Sequence, residues 1–134
     1  MPNHFDHEKL NVYQESLAFY AWSESVIDRA PKSHPLHDQL DRARTSVVLN
    51  IPEGNGKYTA KDRCRFFDNS RGSALECAAC LDLMRIKQFL TTEEADEGKE
   101  LLKRIVSMLV GLIRSNSGDR LYEEAAEYRT ESGD

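Results

Sequence analysis

Three sets of side chains in this sequence of 134 residues have types and spacings that bear on chemistry. The first is a basic run in which Lys57, Lys61, Arg63 and Arg65 oppose only Asp62, a local excess of +3. Clustered Lys and Arg contact phosphates, and Tyr58 among them offers a ring on which an exposed base can stack. Arg42, Arg44 and Arg71 are candidates to support that surface. The same run also suits a plain solvated helix start. In the second set, Asn50 and Glu53 lie three apart, as do Ser73 and Glu76, so each pair falls on one helix face. An antiparallel hairpin can bring these faces together as a polar site at the end of a bundle. Alternatively, these groups satisfy helix-terminal amides and carbonyls, or pair with Arg42, Arg44 or Arg71 to fix register.

The third set is Cys77 and Cys80 with Cys64. This CxxC lies inside a helical apolar stripe and follows no strand, which fails the context of a thioredoxin-like motif. Zinc needs two further ligands, and Cys64 supplies one at most, so the thiols are read as small apolar core groups. His4, His7, His34 and His37 fall in the amino-terminal arm and around the first loop and are read as solvated. A di-metal bundle site needs inward Glu-x-x-His pairs, and none occurs. No catalytic constellation, metal, cofactor or small-molecule substrate is therefore expected.

Four amphipathic segments must position these groups. Leu10, Tyr13, Leu17, Tyr20 and Ile27 share a stripe behind an Asn11/Gln14 capping signal, predicting a helix over about 12–29, with Phe5 and Leu10 pinning a polar arm before it. APKSHP breaks the chain, Ser33 is the predicted cap, and Leu36, Leu40, Ala43, Val47 and Ile51 predict a helix over about 36–53. Pro52 disturbs its last turn, and Gly54 or Gly56 is expected to close it in a left-handed conformation. Thr59 with Asp62 starts a third helix, about 60–88, carrying Phe66 or Phe67, Ser70, Ala74, Cys77, Leu81 and Met84. Its small-residue centre predicts close approach of another helix at Gly72 and Ser73. Thr91 with Glu94 opens a fourth, about 92–116. Short connections make an all-α, antiparallel up-down-up-down four-helix bundle over 1–118 the expected fold.

Charge divides the chain unevenly. From Ser117 onward Arg120 and Arg129 oppose six acids, so of a net charge of −5 the tail holds −4 and the body −1. Residues 119–134 are expected to form an acidic, disordered tail. An odd cysteine count and the absence of a secretory signal point to a reducing cytoplasm, and no apolar run suits a membrane span.

The segments KLNVYQESL, QLDRARTSVVLNIPEGNGK and RFFDNSRGSALECAACLDLM, followed by a final amphipathic helix, resemble the small bacterial four-helix-bundle proteins of large-subunit ribosomal RNA intervening sequences. The resemblance covers about Phe5 to Ile113. It is most specific at Ser46, Asn50, Ile51, Glu53, Gly54 and Gly56, and at Gly72, Ser73, Leu75 and Glu76. Val48 stands where relatives often carry proline, and Pro52 where they carry alanine, which displaces the expected bend by one turn. The family also includes the accessory variability determinant of diversity-generating retroelements, a ring-shaped homopentamer that binds reverse transcriptase and nucleic acid. That relative is strongly basic, and this chain is not. The resemblance implies a non-enzymatic homo-oligomeric accessory protein, a homopentamer, with RNA or DNA and a reverse-transcriptase-like protein as partners. The alternative is a protein-binding module that uses the face around Gly72 without nucleic-acid contact.

Overall fold

Three of the four long helices begin where a side chain accepts from a free backbone amide. The computed structural model describes residues 3–116, so the acidic tail of 119–134 lies outside the described residues. Four α-helices follow in order: α1 (Asn11–Glu24), α2 (Pro35–Asn55), α3 (Ala60–Ile86) and α4 (Thr92–Asn116). Short 3-10 helices at Asp6–Lys9 and Ile27–Arg29 flank α1. No strand occurs among the described residues. α2 packs on α3, α3 on α4, and α1 closes the square against α4 and α2, giving an antiparallel four-helix bundle. Phe19 of α1, Leu40 and Val47 of α2, Phe67 and Leu81 of α3, and Ile105 and Leu109 of α4 fill its fully buried centre.

Capping explains most boundaries. The Thr59 hydroxyl accepts from the Asp62 amide at 3.1 Å and opens α3. At α4, Thr91 and Glu94 form a reciprocal box, the Glu94 amide donating to Thr91 Oγ1 at 3.1 Å and the Thr91 amide to Glu94 Oε1 at 3.0 Å. α2 is capped by His34, not Ser33: His34 Nδ1 accepts from the Leu36 amide at 3.1 Å, with Pro35 as the first helical residue. Asn11 does not cap α1. Instead Gln14 Nε2 donates to the Glu8 carbonyl at 3.1 Å, and the Glu8 carboxylate accepts from the amides of His4 and Phe5. Those two amides hold Glu8 below the usual carboxylate range.

α1 stops at Glu24, short of the predicted end near Arg29. The Ser23 and Ser25 hydroxyls bond back to the carbonyls of Tyr20 (2.7 Å) and Trp22 (2.6 Å), competing with the helical ladder. The following 3-10 helix lets both Val26 and Ile27 reach the core. In the arm, Leu10 packs against the core while Phe5 stays exposed, so Asp6 does the remaining pinning by accepting from Asn55 Nδ2 at 3.0 Å.

Glycine acts differently from expectation. Gly54 lies inside α2, which runs through Pro52 to Asn55, and neither Gly54 nor Gly56 is left-handed. A Cβ on Gly54 would sit 2.9 Å from the Phe67 ring, so glycine there permits α3 to cross close. Gly72, expected at a close approach, meets nothing within 4 Å. Its neighbour Ser73 does meet α2, its hydroxyl 2.7 Å from that of Ser46. A second glycine at a close approach is Gly98 of α4, where a Cβ would collide with the Trp22 ring and lie 2.7 Å from Leu81. At the end of α3 the left-handed residue is Gln88 (φ 65°), and the Phe89 amide beyond it donates to the Met84 carbonyl at 2.9 Å.

Candidate functional site

The first turn of α3 and the end of α2 bring the basic run to one end of the bundle. Thr59 fixes where α3 begins, and so fixes which faces its cations take. Lys57 Nζ and the Arg65 guanidinium each lie 5.0 Å from the centroid of Phe66, a half-buried ring. Phe66 therefore organises the cluster. The sequence left Phe66 and Phe67 interchangeable for the core; Phe67 is fully buried, and Phe66 takes the surface.

The five predicted residues do not act alike. Tyr58 is fully exposed, and Lys61 is exposed and makes no ion pair among the described residues. Lys57 is partly neutralised by Glu53 at 3.6 Å, and Arg65 by Asp62 at 3.8 Å. Arg63 turns back into the corner: its Nη1 donates to the Lys57 carbonyl at 3.4 Å, and its buried Nε has no hydrogen-bond partner among the described residues. Two grooves flank the run. One, of about 470 Å³, is lined by Leu49, Pro52, Glu53, Gly56, Lys57 and His7. The other, of about 480 Å³, is lined by Lys61, Asp62, Cys64, Arg65, Asp68 and Ile113.

The supporting arginines are each engaged by carboxylates, Arg71 by the groove-lining Asp68. Arg44 is buried against α1, donating to Ser23 Oγ at 3.0 Å and Asp41 at 2.7 Å, pairing with Glu24, and lying 4.1 Å over the Tyr20 ring. Arg42 pairs with Asp38 and Arg71 with Asp68, each within its own helix.

The four-residue polar cluster forms only in part. Asn50 Nδ2 donates to the Ser46 carbonyl (2.9 Å) and hydroxyl (3.0 Å), and the Ser46 and Ser73 hydroxyls meet at 2.7 Å. Ser70 Oγ adds a buried bond to the Val47 carbonyl at 2.7 Å. Glu53 is drawn to Lys57, and Glu76 stays exposed on α3. What remains is a stitch between α2 and α3, which satisfies polar groups and offers no paired carboxylates.

A model of the family described as "23S rRNA-intervening sequence protein" matches residues 8–111. The chain belongs to that family. No curated protein matches it. Among solved structures it is similar to a protein of unknown function from the S23 ribosomal protein family of Bacteroides thetaiotaomicron VPI-5482. Identity is 21%, the TM-score is 0.71, and the match covers 77% of this chain and 98% of the other. At that identity the likeness speaks to fold alone.

In this intervening-sequence family member Cys64, Cys77 and Cys80 are buried free thiols, and burial pushes those of Cys77 and Cys80 up, away from the reactive thiolate. Of the four histidines, three make contacts beyond solvent: His7 packs edge-on to Tyr13, His34 caps α2, and His37 Nε2 lies 3.0 Å from Asp28, while His4 is exposed. Among the described residues no group of three or more His, Cys, Asp or Glu is placed to hold a metal ion. No described helix is long and apolar enough to cross a membrane.

Proposed function

We propose that this protein is a non-enzymatic helical bundle that assembles with copies of itself and holds RNA or DNA at the α2–α3 corner. The observation that carries this reading is the outer face of α3. Gly72, Leu75, Ala79, Leu83 and Ile86 fall on one stripe of about 21 Å. Leu75, Leu83 and Ile86 are 50%, 49% and 64% exposed. Such a seam in water is covered at a cost in ordering only a few side chains. A second copy fits it: an antiparallel α3 centred on Ala79 sets Gly72 against Ile86 and Leu75 against Leu83. The resemblance described above implies a ring of five and this pairing implies two-fold contacts, and the two differ in assembly mass.

Tyr58 and Lys61, both open to solvent beside Arg65, support the nucleic-acid part. Titration with RNA and DNA at low and high salt tests it. Binding that weakens with salt and is lost in Lys61→Glu with Arg65→Glu is expected; no binding at low salt, or an unchanged affinity in that variant, removes it. The Glu53–Lys57 and Asp62–Arg65 pairs favour a second reading, a module that seats a partner enzyme of polymerase type on the α3 stripe without nucleic acid. Partner complexes that survive high salt would be its signature.

A further inference from the structure

We propose that the nucleic acid at the α2–α3 corner is a single strand, and that it continues from Lys61 along the valley between α3 and α4, where Arg114 and Lys103 take further phosphates. This rests on the nucleic-acid reading of the corner and extends it to a second helix. Two contacts fix how α4 lies against α3. The Cys64 thiol donates to the Ile113 carbonyl at 3.5 Å near one end, and Lys99 Nζ donates to Asp82 at 2.8 Å near the other. Lys103 follows Lys99 by one turn and Arg114 follows Lys103 by about three, so all three share the stripe of α4 that Lys99 turns toward α3. In the antiparallel register these contacts set, Arg114 stands level with Cys64, one turn from Lys61, and Lys103 stands level with the turn after Arg71.

The cations along this line differ in what already engages them. Arg65 is held by Asp62 at 3.8 Å and Arg71 by Asp68 at 2.9 Å, whereas Lys61, Lys103 and Arg114 are exposed and make no ion pair among the described residues. Lys103 and Arg114 stand about 16 Å apart along α4, a span over which one strand presents several phosphates. Past Lys103 the charge reverses: Lys99 is held by Asp82, with Asp96 and Glu100 on either side of it in α4, so the track ends there. The valley's width selects the form of the nucleic acid. Packed helix axes lie about 8–10 Å apart, so the depression between α3 and α4 admits one backbone, and the second backbone of a duplex would find no cations beside it. Tyr58, exposed at the head of the track, stacks on an unpaired base, which a duplex does not offer. Arg104 is outside the valley, 3.6 Å from Glu15 of α1.

Fluorescence anisotropy of a labelled oligouridine of about 12 nucleotides, titrated with the full chain over a range of salt, tests the track. K103Q/R114Q should weaken binding about tenfold at low salt and reduce the slope of log K against log salt by about 1.4, the loss of two phosphate contacts to a single strand. R42Q/R104Q removes the same charge outside the valley and should leave the affinity within about twofold of the parent. All four side chains are exposed, so both variants should keep the parent's helical circular dichroism. If the parent binds and K61E/R65E does not, yet K103Q/R114Q is unchanged or weakens no more than R42Q/R104Q, the track is overturned and the corner reading stands. No binding by the parent at low salt overturns both. Weakening in K103Q/R114Q with none in K61E/R65E removes the corner and keeps the α4 contacts. A duplex of equal length that binds as tightly as the oligouridine would overturn the single-strand assignment.

Discussion

At two helical positions glycine has opposite consequences. Gly72 sits mid-helix with open space around it, so Gly72→Ala should stabilise by about 0.5–1 kcal/mol through helix propensity. Gly98→Ala forces a methyl group into Trp22 and Leu81 and should cost about 1–3 kcal/mol. Urea unfolding of both variants checks the pair, and a shift of the same sign in both would contradict the packing described. Glu94 supplies a pH prediction. The Arg29 side chain, then the Thr91 amide, hold its carboxyl at about 2, below its ordinary 4.5. A carboxylate depressed by folding contributes stability above its unfolded value and loses it as pH falls, here between about 4.5 and 2. Glu94→Gln keeps an acceptor for the Thr91 amide and removes the charge, so its unfolding midpoint should fall less steeply across that window; an equal slope would refute the assignment. At this scale the sequence is informative about residue type and silent about direction. Cys77 and Cys80 were legible as core groups from their stripe, whereas nothing in the run of cations distinguishes inward Arg63 from outward Lys61.

Between elements, polar contacts decide register. Ser70 donates into the Val47 carbonyl from a fully buried site, and Ser70→Ala should cost about 1 kcal/mol. Ser46→Ala and Ser73→Ala should couple by about 0.5 kcal/mol in a double-mutant cycle, whereas additive effects would mean the 2.7 Å contact is idle. α1 depends on Arg44, which links Ser23, Glu24 and the Tyr20 face to α2. Arg44→Ala should cost about 2 kcal/mol and expose α1 amides to hydrogen exchange before those of α3. Uniform loss of protection would contradict that link. The four helices were legible because apolar residues recur at helical spacing. Their ends were legible at Thr59 and Thr91, where a hydroxyl caps in the common way. They were not at His34 and Gln88, whose capping roles are unusual for their types, nor after Glu24, where back-bonded serines and the burial of Val26 override periodicity. The corner reads as a glycine turn in sequence because the approach of Phe67 to Gly54 is a tertiary contact.

The molecule as a whole has a well-filled core and an outer face of α3 that folding leaves in water. That face was visible in sequence only as a run of small residues, and its expected neighbour was another helix of the same bundle. Another helix does meet the run at Ser73, whose hydroxyl lies 2.7 Å from that of Ser46, but Gly72 has open space around it, and the stripe from Gly72 to Ile86 points outward. The basic corner was legible as a cluster, though its organising ring, Phe66, was not, because the turn between α2 and α3 decides which of two adjacent phenylalanines is buried. Self-association through the α3 stripe is the central claim, and sedimentation of the full chain tests it most directly. At micromolar concentration the parent should sediment as a multiple of the 15.3 kDa chain, and Leu75→Glu with Leu83→Glu should sediment as a single chain with unchanged helical circular dichroism. A parent that sediments at 15.3 kDa would contradict the account.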